Sequence, residues 1–133
     1  MPEHIDKIAW ICIRDGRILS VRSKGKELFY FPGGKREPGE TDAETLQREI
    51  GEELSVRIKP ETIAYYGAFE AQADGKPEGV LVKMTCYTAD YAGDLAPASE
   101  IGELAWLGYA DRDRTSLISR IIFDELHEKN LLA

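Results

Sequence analysis

The chain opens on apolar runs with strand periodicity, interrupted by one sharp turn. Lys7 to Arg14 and Arg17 to Arg22 read as two strands, and the Asp15-Gly16 pair between them favours a two-residue type I′ hairpin. A short aromatic run, Leu28 to Phe31, predicts a further strand that Pro32 and Gly33-Gly34 break into a loop running on to Pro38-Gly39. The period then changes from two to 3.6. Thr41 as N-cap and Glu44 three residues later form a capping box, so a helix is expected over Asp42 to Leu54, with Ala43, Leu46, Ile50 and Leu54 as its apolar stripe. After Pro60, Ala64 to Ala73 and Val80 to Tyr91 predict two long paired strands joined by the turn Asp74 to Gly79. Glu103 to Tyr109 predicts a last strand. A closing helix follows, with Leu117, Ile118, Ile121, Ile122 and Leu126 on the face expected to pack on the sheet. Strands, helix, strands, helix in this order predict an α+β fold with helices packed on the faces of a mixed sheet.

Composition narrows the function classes. At 133 residues and 43% hydrophobic content, residues 1–133 suit a single domain with a real core, and neither a repeat nor a low-complexity linker is visible. The formal net charge of -7 argues against non-specific binding of nucleic-acid polymers or membranes, which are held by clustered lysine and arginine. An anionic substrate would need a cation in between. Cys12 and Cys86 lie in apolar strand-like runs without C-x-x-C spacing, the pattern of buried, reduced thiols in a reducing compartment. The N-terminal segment lacks a basic region followed by a long apolar core, and no stretch approaches the ~20 apolar residues of a membrane span, so a cytoplasmic location is expected.

The stretch Arg48 to Leu54, REIGEEL, places Glu49, Glu52 and Glu53 within five positions. On a helix these three fall on a face about a quarter-turn from the apolar stripe. A solvated acidic face with one Arg48–Glu52 pair would account for part of this, at about 0.3 kcal/mol. It does not account for Glu49 and Glu53 as an i,i+4 like-charge pair with Glu52 beside both, where each repulsion is on the order of 3 kcal/mol before screening. A divalent cation removes the conflict, because carboxylates are the hard oxygen ligands that Mg²⁺ or Mn²⁺ takes together with waters and substrate phosphates. Gly33 and Gly34, just ahead of the helix, leave backbone groups open to close approach. Lys35 and Arg36, with Lys24 and Lys26 nearby in sequence, are candidate phosphate contacts.

Gly34 to Val56, GKREPGETDAETLQREIGEELSV, resembles the signature of the Nudix hydrolases, G-x5-E-x7-R-E-U-x-E-E-x-G-U with U aliphatic. Gly34, Glu40, Arg48, Glu49, Ile50, Glu52, Glu53 and Val56 fall in register, and only Ser55 departs, standing where the family usually has glycine. The resemblance implies the family's α/β/α sandwich. It also implies Mg²⁺-dependent hydrolysis, with Mn²⁺ as the alternative ion, of a nucleoside diphosphate linked to another moiety, such as an ordinary or modified nucleoside triphosphate, by water attack at phosphorus. Carried over by position, Glu49, Glu52 and Glu53 would bind the metal, and Glu49 or Glu52 would take the proton from water. Arg48 would orient the glutamates, Glu40 and Gly34 would support loop and helix, and the Gly33 carbonyl would be a further ligand.

In some members a later loop glutamate completes the site, and Glu100 is the first candidate here, Glu103 the second. Ser55 is expected to change the helix exit locally, since glycine there permits a left-handed cap. Phe29, Tyr30, Tyr65, Phe69 and Trp10 are candidates for stacking on a base, although aromatic residues in strands more often fill a core. Phe31 and Tyr65, with Lys35 and Arg36, form the candidate substrate set. The substrate itself is not chosen by the sequence: the proline of many ADP-ribose hydrolases is absent where Ala71 and Gln72 sit. The rival function class is a silent nucleotide-binding or regulatory domain. Many family members are dimers, so a homodimer is an open expectation.

Overall fold

The computed structural model describes residues 4–133; Met1, Pro2 and Glu3, part of the segment read above for a leader, lie outside the described residues. A four-stranded mixed sheet forms the centre. Its strands β1 (His4–Trp10), β4 (Gly33–Gly34), β6 (Ala64–Gln72) and β7 (Leu81–Thr88) lie in the order β4-β1-β7-β6. β1 runs parallel to β7, and the other two pairings are antiparallel. A second, antiparallel sheet contains β2 (Ile13–Arg14), β3 (Arg17–Ser23) and β9 (Ile101–Leu107), in the order β2-β3-β9. β5 (Arg57–Ile58) and β8 (Tyr91–Ala92) form a small separate pair.

Two helices cover the main sheet from opposite sides. α1 (Asp42–Leu54) buries Leu46, Ile50 and Leu54 against Ile8 and Trp10 of β1, and α2 (Leu117–Glu128) buries Ile118, Ile122, Phe123 and Leu126 in a second cluster with Ala9, Val82, Met84 and Cys86. Full burial of each such aliphatic side chain is worth about 1.5–3 kcal/mol. Because β1 is central, successive side chains feed both clusters, which explains why its second half, Ile8, Ala9 and Trp10, is apolar without alternation. The fold is therefore an α+β sandwich, as the order of elements predicts. No described helix is long and apolar enough to cross a membrane.

The capping box of α1 forms as expected: Glu44 N–H donates to the Thr41 hydroxyl at 3.2 Å, and Thr41 N–H donates to the Glu44 carboxylate at 2.9 Å. Asp15 and Gly16 both adopt positive φ, 53° and 75°, as a type I′ turn requires. The single strand expected from Lys7 to Arg14 is instead two, parted at Ile11-Cys12, because β1 pairs with β4 and β7 while β2 turns back on β3 in the other sheet. Leu28 to Phe31 is likewise not a strand but two isolated bridges, Tyr30 to Val21 and Phe29 to Thr115. Pro32, which has no N–H to donate, follows it.

The closing helix also corrects its expected face. Leu117 and Ile121 are 37% and 42% exposed, and Ser119 and Phe123 take the inward positions beside Ile118, Ile122 and Leu126. Both cysteines are free, Cys86 buried and Cys12 half-buried, and desolvation pushes their thiols up to about 12 and about 11.

Candidate active site

A cleft of about 1040 Å³ opens beside β4, and Gly33, Gly34, Lys35, Glu49, Glu53 and Glu100 line one part of it. The two glycines are there for steric reasons. A Cβ on Gly33, whose φ is +146°, would stand 2.0 Å from the Ile8 carbonyl oxygen, and a Cβ on Gly34 would stand 2.5–2.7 Å from the Glu49 carboxyl group. At Gly33 the neighbours are backbone atoms that cannot give way, so only a residue without a Cβ lets the loop pass β1, whereas at Gly34 the missing Cβ leaves room for the Glu49 carboxyl group.

Arg48 is the hub of the site. Its Nε and Nη2 donate to the two oxygens of Glu40 at 2.6 and 2.9 Å, its Nη1 donates to Glu49 at 2.8 Å, and its Nη2 also donates to the Lys35 carbonyl at 3.0 Å. The bidentate fork on Glu40 is the geometry that guanidinium provides and an ammonium does not. Glu40 also accepts from the Glu37 N–H and from the Thr45 hydroxyl. Stabilised first by Arg48 and then by the Glu37 N–H, its carboxyl falls to about 2. Glu37 and Glu52 also lie near the guanidinium, at 3.2 and 3.5 Å.

The three box glutamates occupy different environments. Glu53 is 3% exposed, so it belongs to the buried side of α1 rather than to an open acidic face, and it accepts from the Gly33 N–H at 3.0 Å. Desolvation, opposed by that hydrogen bond and reinforced by Glu49 and Glu100, pushes its carboxyl up to about 8. Glu49 is raised as well, by desolvation first, with Arg48 pulling the other way. Glu52 is the exposed member, with 54% of its side chain open.

Glu100 reaches this group through the end of α1. The terminal carbonyls of a helix lack intrahelical partners, and here those of Glu53 and Leu54 accept from Ala98 and Ala96 at 2.9 and 3.0 Å. That tether, with Ser99 at φ 58° and the Lys24 N–H on the Glu100 carbonyl, holds the Glu100 loop on the cleft. Glu103 sits instead on β9 and pairs with Arg22 at 2.6 Å, outside the cleft lining. Ser55, in place of the box glycine, keeps the left-handed exit at φ 64°, ψ 20°, and its hydroxyl donates to the Ala96 carbonyl at 3.2 Å.

The candidate substrate residues divide. Lys35 and Lys26 line the cleft, and Phe31, 2% exposed and stacked on Phe123, forms part of its wall. Arg36 lies outside the lining, bound to Asp42 and to Asp6, and Tyr65 is 63% exposed on β6, packed edge-on against Tyr87. Trp10 and Phe29 are core residues, Phe69 packs against the α2-side core, and Tyr30 lines the cleft with its hydroxyl on Ser23. Lys24 is likewise outside the lining. A cleft-lining residue that sequence reasoning did not single out is Lys7, which feels Lys35 as a like charge and Glu53 and Glu49 as opposite ones. Its signal was present: on the β1 stripe Ile5, Lys7, Ala9, Ile11 it is the single charged residue among apolar ones.

The donor set suits a hard divalent ion. Carboxylate oxygens of Glu49, Glu52, Glu53 and Glu100 and the Gly33 carbonyl are the ligand types such ions take. The raised carboxyl of Glu53, with like charges beside it, is the arrangement a dication would relieve. Among the described residues no three acidic, imidazole or thiol side chains already converge on one ion-sized gap, so Glu49 and Glu52 would have to turn from Arg48 toward the ion.

Comparison with known proteins agrees with this geometry. The family model described as NUDIX domain matches residues 4–124. The CTP pyrophosphohydrolase of Escherichia coli is 31% identical over 107 residues, 77% of this chain and 74% of that protein. The human 8-oxo-dGDP phosphatase NUDT18 is 51% identical over 46 residues, and the RNA pyrophosphohydrolase of Erwinia tasmaniensis is 24% identical over 115. Those two matches span 14% and 66% of the relatives' own lengths. In structure, the E. coli ORF135 protein superposes with a TM-score of 0.73 at 24% identity, covering 96% of this chain and 91% of that one. A MutT NUDIX hydrolase from Burkholderia pseudomallei gives a TM-score of 0.73 at 20% identity, covering 93% and 98%. With the box residues, the sandwich and the family match in agreement, the chain belongs to the Nudix hydrolase family.

Proposed function

We propose that this chain, as one domain over residues 1–133, is a divalent-metal-dependent pyrophosphohydrolase acting on a small nucleotide, a nucleoside diphosphate linked to a further moiety such as a third phosphate. The observation that supports this most directly is the Arg48 hub, which ties the Gly33-Gly34-Lys35 loop, Glu40 and two box glutamates into one unit at a cleft. Mg²⁺, with Mn²⁺ as the alternative, would be held by Glu49, Glu52, Glu53 and the Gly33 carbonyl, with Glu100 in support. Bound there, the ion supplies charge neutralisation at phosphoryl oxygens and lowers the pKa of a water.

Arg48 orients Glu49 and Glu52, one of which takes the proton from the attacking water. Glu53, fixed by the Gly33 N–H, keeps its carboxylate aimed at the loop, and Lys35 meets phosphate. The net charge of -7 and the E. coli CTP pyrophosphohydrolase relative both favour a small nucleotide over a nucleic-acid polymer. The charge and the free thiols fit a cytoplasmic setting.

The test is a panel of nucleoside triphosphates, nucleotide sugars, ADP-ribose and dinucleoside polyphosphates with Mg²⁺ or Mn²⁺ and product identification. Metal-dependent cleavage of at least one is expected. No cleavage of any, with a folded protein, would replace this reading with that of a silent binding module.

A further inference from the structure

We propose that Lys7 is a substrate-binding residue that, together with Lys35, receives a phosphate group of the nucleotide not carried by the metal. The inference rests on the function proposed above. Lys7 lies on β1 opposite Met84 of β7, one residue before Ile8, the partner of Gly34, and it lines the same cleft as Lys35 and Met84. The neighbouring stripe residues Ile5, Ala9 and Ile11 all belong to, or pack on, the α2-side core, so the position is one where an apolar side chain would serve stability better. Among the described residues neither Lys7 nor Lys35 forms an ion pair through its ammonium group, and Lys35 acts on Lys7 as a like charge.

The carboxylates of Glu53 and Glu49 act on Lys7 only through space, and burial opposes its charge more strongly than anything else nearby. Lys7 and Lys35, two of the four lysines in the cleft lining beside Lys26 and Lys76, act on each other as like charges, and a phosphate between them answers both. Ile5, Val82, Met84 and Ile118 add an apolar stretch to the same lining. A nucleotide whose phosphates lie over Lys7 and Lys35 would have this surface for its less polar part.

The experiment compares wild type, Lys7→Met, Lys7→Arg and Lys35→Met in steady-state turnover of whichever nucleotide the panel identifies, and in calorimetric binding of inorganic pyrophosphate with Mg²⁺ and with EDTA. Lys7→Met is expected to raise KM at least tenfold with kcat changed less than threefold, and to weaken pyrophosphate binding at least tenfold in both conditions. Lys7→Arg is expected to restore both to within about threefold. A KM and pyrophosphate affinity within twofold of wild type in folded Lys7→Met would overturn the assignment. So would a kcat loss with KM unchanged, since Lys7 would then act on the glutamates and not on substrate. Should no nucleotide be cleaved, the function proposal fails separately, and pyrophosphate binding alone still decides on Lys7; a wild type that does not bind pyrophosphate overturns the Lys7 assignment as well.

Discussion

Replacing Gly33 by alanine separates a steric requirement of the fold from a chemical requirement of the site. The new Cβ would lie 2.0 Å from the Ile8 carbonyl oxygen and 2.9 Å from the Ala9 Cα, both backbone atoms of the central strand. Ordinary C···O contact begins near ~3.3 Å, so β4 must back away from β1 by more than about 1 Å. That movement breaks the Gly33 N–H bond to the buried Glu53, costing about 1–3 kcal/mol, and holding alanine at φ +146° adds about 1–3 kcal/mol. A loss of about 2–6 kcal/mol is a large part of a stability of about 5–15 kcal/mol. In thermal denaturation it should appear as a fall in Tm of about 8–25 °C.

Gly34→Ala is the matched control. Its Cβ meets only the end of the Glu49 side chain, which can rotate away, so stability should fall by no more than about 1 kcal/mol. Turnover should nevertheless drop at least tenfold, because the new Cβ takes the place of the Glu49 carboxyl group beside the loop and misplaces a proposed metal ligand. Circular-dichroism melts and urea titrations of both variants, beside activity, make the comparison. A Gly33→Ala protein melting within about 3 °C of wild type would refute the close passage of β4 over β1.

Four further outcomes can be checked. Glu53→Gln keeps an acceptor for the Gly33 N–H but carries no charge, so metal-free protein at pH 8 should melt higher than wild type while turnover falls at least tenfold; unchanged turnover would remove Glu53 from the metal ligands. Since the folded carboxyl of Glu40 sits at about 2, below its unfolded value, its contribution is present above about pH 4.5 and is lost as pH falls toward 2. Urea midpoints over that window should fall more steeply in wild type than in Glu40→Gln. Glu100→Gln should lower turnover with Mg²⁺ at least fivefold and Glu103→Gln less than twofold, and the reverse order in the same assay would move the loop ligand to β9. Ser55→Val, a β-branched residue at φ 64°, should lose about 1–2 kcal/mol in urea unfolding whereas Ser55→Gly loses little, and equal losses would show that the left-handed exit is not kept.

The sequence by itself determined whatever depends on local spacing. The capping box at Thr41–Glu44, the type I′ turn at Asp15-Gly16 and the register of Arg48 with its glutamates are short-range, so their side chains meet whatever the rest of the chain does. Only the tertiary structure decided matters that depend on a distant partner. Glu53 reads as one of three equivalent acids on a helix, yet it becomes the buried one because β4 and its Gly33 N–H come to rest against it.

Arg36, adjacent to Lys35 in sequence, is drawn off by Asp6 and Asp42, and Tyr65 lies exposed on the edge strand β6, outside the cleft lining. Lys7 comes to line the cleft because β1 pairs with Gly33-Gly34, a contact no local pattern encodes. Glu100 is separated from Glu103 by a tether of Ala96 and Ala98 to carbonyls more than forty residues earlier in the chain. Periodicity specifies which face of an element is apolar. Burial and charge at a site are set by what packs on that face, and packing is a property of the assembled sandwich.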